Sequence, residues 1–380
     1  MIEVQDILNY LFENTDFINT LNYQQVKAFN SIASCRTSVL GTHKSSCDTC
    51  EFEKFLYNSC RNRHCPKCQT FKKEEWIHMQ EQYLLDVPYF HVVFTIPDTL
   101  HGITFQSQKV VYNLFFKAVS ESLKELGLDE KYIGANLGVT SVLHTWGQNL
   151  SYHPHIHCII PGGGLTERGF WKQSKKKFFL PVKVLSRLFR GKFLAYLQHT
   201  KLEFHSSQKY LESQVDFDYF MSTLYQKEWV VYCEKPFNSA SQVISYLGRY
   251  THRVAITNNR IKSFVDGCVI FTYRDYKDSN KTKEMTLTAE EFARRLSMHV
   301  LSMHVLPSKM HKIRHYGLLA PNGKKERIIK CKRLTGTKTL SFETFNKEKL
   351  LIKLLRRDYN LCPNCETGSL CFKPPSYSYS

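Results

Sequence analysis

Apolar positions recur at helical spacing near the start of the chain (Ile7, Leu8, Leu11, Phe12), which predicts helices over 1–34. From 35 to 70 that period fades and cysteines take its place. Helical spacing resumes over about 70–85 and ends before Pro88. The pattern then changes. YFHVVFTIP (89–97) and LGVTSVLHTW (137–146) are strand-like runs, with an amphipathic helical stretch over 106–126 between them. GQNLS turns the chain into a third strand, HPHIHCII (153–160), so the last two strands form a hairpin. Further on, WVVYCEKPF, RVAIT, RIKSF, CVIFTYRDY and KEMTLT read as strands, and SASQVISYLGRYTHR and 290–306 as helices.

Strand, helix, strand, strand with short loops predicts an antiparallel, ferredoxin-like α+β domain. The balance of charge adds a partner. Lys and Arg outnumber Asp and Glu 52 to 34, a formal charge of +18, and a chain this basic is expected to meet a polyanion, nucleic acid first. A membrane is not expected, because no apolar run approaches the ~20 residues of a spanning helix. The opening MIEVQDILNYLFENTD carries early acidic residues and no cleavage-site pattern, so the expected location is the cytoplasm. Disulfides are rare there, and thirteen cysteines need another role.

Two knuckles, CDTC at 47–50 and CPKC at 65–68, stand fourteen residues apart. Four thiolates can close a tetrahedron around Zn²⁺, so Cys47, Cys50, Cys65 and Cys68 are the expected zinc ligands. Cys35, His43, Cys60 and His64 are a candidate second set, weighed evenly against packing roles. Cys362 and Cys365 form a single knuckle that Cys371 or Cys331 would have to complete. A four-thiolate site has no open position. Its zinc is therefore expected to be structural, shaping a basic module (Arg61, Arg63, Lys67) for DNA phosphates.

In a strand, residues two apart point the same way. His155 and His157 thus project together from a segment flanked by Ile156, Cys158, Ile159 and Ile160. Two imidazoles are part of a cation's shell. His144 on the preceding strand is a candidate third ligand and Gln148 the alternative, because the turn does not fix register and a one-residue slip would reverse His144. Downstream, Tyr246 and Tyr250 in YLGRY fall at i and i+4, on one helix face, with Arg249 and Arg253 close by to neutralise phosphate. A tyrosine beside a divalent ion can attack a phosphodiester. Taken singly, each pattern also fits ordinary packing.

Several stretches carry a family resemblance. HPHIHCIIPGGG resembles the HUH motif (His, hydrophobic, His) of single-strand endonucleases. YLGRYTHRVAITNNR resembles the two-tyrosine motif of rolling-circle insertion-sequence transposases of the IS-ninety-one type. CRTSVLGTHKSSCDTCEFEKFLYNSCRNRHCPKCQ resembles their N-terminal zinc-binding domain, and FHVVFTIPDTLH and HKIRHYGLLA also match. The resemblance spans about 10–370. It implies an N-terminal helical and zinc-binding module (1–86), an HUH catalytic domain (87–316) and a small basic C-terminal region (317–380) with its own CxxC knuckle. It also implies that His155 and His157 hold Mg²⁺ or Mn²⁺ and that Tyr246 and Tyr250 are nucleophiles. The implied partner is single-stranded DNA at element ends and target, cut through a 5′-phosphotyrosine and rejoined, in a prokaryotic nucleoid. The basic stretches 172–192 and 309–333 would then track phosphates. A relaxase or replication initiator shares this chemistry, though the zinc module and HYGLLA speak against it; a zinc-dependent DNA-binding protein without catalysis is the other alternative. One departure stands out. SMHVL occurs twice in succession, at 297–301 and 302–306. Five extra helical residues would rotate the downstream chain by about 140°, so a looped or distorted helix end is expected there.

Overall fold

The computed structural model describes residues 2–373 except 148, 175–178, 235, 236, 238–241, 244, 245, 247, 249–253, 255, 276, 277, 279, 280, 305–310, 339–341, 343 and 357; for 70, 298–304, 372 and 373 it describes the backbone alone. The chain forms two compact units. One comprises 1–78, 252–300 and 343–380, the other 79–251 and 301–342.

The second unit is built on an antiparallel sheet. The strand Tyr89–Thr95 leads through the helices His101–Gln106 and Gln108–Leu128 to the strand Asn136–Trp146. The next strand, Tyr152–Pro161, lies between those two and runs antiparallel to both. This is a split β-α-β arrangement, and the α+β reading holds. Val231–Cys233 extends the sheet on one side, while Gly163–Leu165, Trp171–Gln173 and Ile313–Gly317 extend it on the other.

Period-two alternation gives the sheet two unlike faces. Phe90, Val92 and Phe94 on one strand share a core with Leu143, Ile156, Cys158 and Ile160, closed by Phe115 and Phe189 from the helices Gln108–Leu128 and Val182–Gln198. Burying each such side chain contributes roughly 1.5–3 kcal/mol. That burial fixes the register, since a one-residue slip would push every core side chain to the other face. The intervening residues, His91, His144, His155 and His157, therefore share the opposite face.

The helix Val182–Gln198 changes the reading of the basic stretch 172–192. Leu185, Phe189 and Phe193 of this helix are core residues. Of its cations, Arg187 faces Glu228 at 3.5 Å and Lys192 faces Glu125 at 2.8 Å. It is an amphipathic core helix in which these two cations have carboxylate partners; Lys175, Lys176 and Lys177 of the same stretch lie outside the described residues.

In the first unit the helices Val4–Asn14 and Tyr23–Ala33 precede a hairpin of Thr42–Cys47 and Glu53–Tyr57, and the helix Pro66–Glu81 begins immediately after Cys65. Strands Ile261–Val265, Cys268–Asp275 and Lys281–Thr288 form a separate sheet. The final strand, Leu370–Lys373, pairs antiparallel with Thr42–Cys47. The stretch 317–380, expected as one region, is thus divided: residues up to 342 belong to the second unit and the rest to the first. Cys331 packs with Leu85, Leu318 and Ile328 in a small core. At the SMHVL repeat the backbone stays helical to His304, within the helix Ala289–His304, instead of looping out between the copies.

Candidate active site and metal centres

The hairpin register settles the direction of His144, which the turn alone leaves open. His144 lies directly opposite His155, and Val142 opposite His157, with a register irregularity confined to the stretch between His144 and Trp146. Residues opposite one another share a face, so His144 joins the pair. The ring centroids lie 5.3 Å (His144–His155), 4.6 Å (His144–His157) and 4.7 Å (His155–His157) apart. One nitrogen from each lies within 4.8 Å of the other two. His144 and His157 are buried.

Hydrogen bonds set the tautomers. The Nδ1 of His155 lies 2.6 Å from the carbonyl oxygen of His153 and donates to it. The Nδ1 of His157 is 2.9 Å from Nε2 of His91, whose own Nδ1 is 3.0 Å from Oε2 of Glu234. Glu234 accepts from His91, and His91 accepts from His157. Both hairpin imidazoles then carry their lone pair on Nε2, as a metal ligand requires. Tyr246 completes the group: its hydroxyl lies 3.0 Å from His91 Nδ1, and its ring meets the His91 ring edge-on at 4.7 Å.

The cysteines form two groups, neither of them the expected one. Cys35, Cys60, Cys65 and Cys68 converge, and so do Cys47, Cys50, Cys362 and Cys365. The hairpin is the reason. Gly41 and Asn58 close its base, where Asn58 N–H donates to the Gly41 carbonyl, while Cys47 and Cys50 sit at its tip. Five residue steps of strand lead from Thr42 to Cys47, and at about 3.3 Å per step the knuckle is carried roughly 16 Å from the hairpin's base. One tetrahedron cannot span that length. His43 faces Leu56 in the hairpin, and neither His43 nor buried His64 joins a ligand group among the described residues.

A zinc–sulfur bond of about 2.3 Å implies sulfur–sulfur edges near 3.8 Å in a tetrahedron. Cys68 Sγ is 3.5 Å from that of Cys35 and 3.6 Å from that of Cys60. The first group therefore fits zinc. Hydrogen bonds from Cys60 and Cys65 pull the Cys68 thiol far down, and the Cys60 contact pushes the Cys65 thiol up. Four sulfurs converging at these spacings suit a cation.

A family profile described as "Putative transposase" matches residues 138–327, and one described as "Transposase zinc-binding domain" matches residues 5–96. Over 360 residues the chain is 40% identical to "Putative transposase y4qJ" of Sinorhizobium fredii, covering 92% of this chain and 89% of that one. The chain belongs to the IS-ninety-one-type transposases. This transposase is also 28% identical to the "Transposase for insertion sequence element IS801" of Pseudomonas savastanoi pv. phaseolicola, over 78% of this chain and 70% of that one. A solved structure of TrwC complexed with a 27-mer DNA covers 55% of this chain and 73% of that chain at 12% identity, with a TM-score of 0.25, too low to carry a shared fold.

The remaining site residues of the transposase have separate fates. Tyr250, Arg249, Arg253 and Gln148 lie outside the described residues. Arg61 and Arg63 are exposed, and Arg61 lines an open groove with Arg36, Lys72 and Lys347. Lys67 departs from its expected role: its ammonium sits 2.5 Å from Glu3 Oε2 and 2.5 Å from Gln5 Oε1. It ties the knuckle helix to the first helix and is already neutralised.

Sequence reasoning misses His91 and Glu234. FHVVFTIP reads only as a strand, yet its histidine sits opposite Ile159, on the same face as His155 and His157. A polar residue in a strand with an apolar residue on either side of it is the available signal. No comparable signal marks Glu234, which reaches the site from an edge strand's end. His315 is another resident of this face, paired with Thr140 and bonded to its hydroxyl at 3.0 Å. Burial lowers its pKa to about 4, with Lys324 adding to the effect.

Among the described residues no helix is long and apolar enough to cross a membrane.

Proposed function

We propose that the transposase cuts and rejoins single-stranded DNA, with Tyr246 and Tyr250 as nucleophiles, at the histidine face of the second unit. One observation carries this reading: three imidazoles close enough to share an ion stand beside a tyrosine hydroxyl held through His91.

His144, His155 and His157 are the residues that would hold Mg²⁺ or Mn²⁺, whose charge would polarise the scissile phosphate. The chain's own groups supply the rest. The His91 ring, 3.0 Å from the Tyr246 hydroxyl through Nδ1, would position that oxygen for attack. That oxygen attacks phosphorus, the bond to the 3′-oxygen breaks, the tyrosine proton passes to solvent, and the 3′-oxygen leaves as a hydroxyl after gaining a proton. The product is a 5′-phosphotyrosine, which conserves a phosphoester for rejoining. Tyr250, four residues on, would take the second strand in the same way. The groove bearing Arg36, Arg61 and Lys347 is suited to backbone phosphates. A transposase of this kind would work in a prokaryotic cytoplasm, at the nucleoid.

The test is covalent capture. Incubation with single-stranded DNA from an element end and Mn²⁺ or Mg²⁺, followed by denaturation, should leave a protein–DNA adduct. Phe at both Tyr246 and Tyr250 should abolish it while binding persists. An adduct surviving in the double variant would overturn the assignment.

A further inference from the structure

We infer that Cys47, Cys50, Cys362 and Cys365 form a second zinc centre, so that the zinc-binding domain is completed by the end of the chain. The matched zinc-binding domain stops at residue 96, far short of the second knuckle. The knuckles come from residues over three hundred positions apart, yet all four sulfurs lie within 4.8 Å of one another.

The edges of this group have the length of a zinc tetrathiolate. Cys47 Sγ is 3.7 Å from that of Cys365, and Cys50 Sγ is 3.7 Å from that of Cys362, against about 3.8 Å for tetrahedral zinc and about 2.05 Å for a disulfide. Each knuckle also aims amides at its sulfurs. The backbone N–H of Thr49 and of Cys50 donate to Cys47 Sγ, at 3.3 and 3.4 Å; that of Asn364 donates to Cys362 Sγ at 3.4 Å, and that of Gly368 to Cys365 Sγ at 3.3 Å. Such donors favour thiolates over thiols.

The surrounding chain is shaped to hold the knuckles together. Leu370 lies opposite Cys47 in the sheet. Asp48 N–H donates to the Ser369 carbonyl at 3.1 Å, and Ser369 N–H donates to Asp48 Oδ1 at 2.7 Å. Gly368 sits where a side chain cannot: a Cβ there would come 2.5 Å from Cys47 Sγ and 2.6 Å from Thr49 Oγ1. Cys371, one residue past Leu370, is exposed and outside the cluster. The first knuckle thus finds its partner across the length of the chain and not in its neighbour at 65–68.

The test uses the full chain purified under reducing conditions, with zinc counted by elemental analysis and the ligand set read from thiolate-to-metal absorption after Co²⁺ replacement. Two ions per chain are expected, falling to one in the Cys362→Ser/Cys365→Ser double variant with the Co²⁺ band about halved. Gly368→Ala should lose the same ion with every cysteine in place. Cys365→His, which keeps four donors, should retain two ions with a weaker thiolate band; this arm decides the matter if the double variant does not fold. One ion in the native chain, two in the double variant, one in Cys365→His, or an intact mass showing two disulfides would each overturn the inference. No readout involves DNA, so the result stands apart from the assignment of the nucleophiles.

Discussion

The histidine face and the thiol groups are both clusters that could hold a metal ion, but they are encoded differently. The face comes mainly from one hairpin, and strand geometry does the placing: residues two apart agree in direction, and opposite residues agree across the ladder. A CxxC knuckle is only half a site. Its loop fixes two sulfurs and says nothing about which other pair completes the tetrahedron. Nearness in sequence suggests 65–68 for 47–50, and the hairpin between them carries the two knuckles apart. Local pattern identifies a site when the element itself brings its members together; otherwise topology decides.

The largest test of this contrast is on the sulfur side. Cys65 is buried and belongs to the group at the hairpin's base. Structural zinc can supply ~10 kcal/mol or more of folding free energy, so Cys65→Ser should release that ion and unfold the N-terminal unit, seen as lost zinc and rapid proteolysis before residue 78. His43→Ala and His64→Ala should leave the metal content unchanged. Loss of zinc in either histidine variant, or its retention in Cys65→Ser, would break this partition of the ligands.

On the histidine side the loss should fall on chemistry and spare the fold. His157→Ala and His144→Ala are each expected to cut adduct formation by about a thousandfold, roughly 4 kcal/mol in barrier, with the melting temperature near that of the native chain. The comparison sharpens if His144 and His157 suffer alike, since one is expected from a motif and the other from a register that the sequence leaves open. A His144→Ala variant that cleaves normally would leave the pair without its cross-strand partner.

Much of the fold is legible because burial enforces simple periods. The three central strands and the long helix of the second unit lie within two residues of where their apolar positions put them. The hairpin gives His155 and His157 outright. What cannot be read is anything requiring a distant partner: the Cys47–Cys365 contact, Glu234 beside His91, and the return of Ile313–Gly317 to Asn136–Trp146. Within the basic run 172–192, charge is visible in the sequence and a paired charge is not; Lys192 meets its carboxylate, Glu125, from a helix 67 residues earlier.

His315 tests whether the histidine face extends past the hairpin. Its ordinary pKa is near 6.5 and burial brings the folded value to about 4. Between those values the unfolded chain binds more protons than the folded one, so stability is full above about 6.5 and is lost as pH falls toward 4. The contribution is at most about 3 kcal/mol at 1.36 kcal/mol per unit. His315→Asn should flatten this part of the pH–stability curve, measured by denaturant melts between pH 7 and 4. An unchanged slope would mean that His315 protonates freely and is not part of a dry face.

The smallest expected effect concerns His91, which lies on this face and would touch no ion. His91 lies between His157 and Glu234, at 2.9 and 3.0 Å, and also meets the Tyr246 hydroxyl at 3.0 Å. It would act through those neighbours, holding the His157 tautomer and steadying the tyrosine oxygen. Groups that orient a metal's ligands typically change affinity or activity by 10–100-fold when replaced. His91→Gln should weaken Mn²⁺ binding within that range, and excess Mn²⁺ should restore only part of the cleavage rate, because the Tyr246 contact is also altered. Glu234→Gln keeps an acceptor for His91 N–H and should fall nearer the low end. The two roles separate in one experiment: full rescue by Mn²⁺ would confine His91 to the ligand side, while unchanged Mn²⁺ affinity with a slowed rate would confine it to the tyrosine. If neither quantity moves, His91 is packing against the site without serving it, and the face reduces to the three histidines that the hairpin itself supplies.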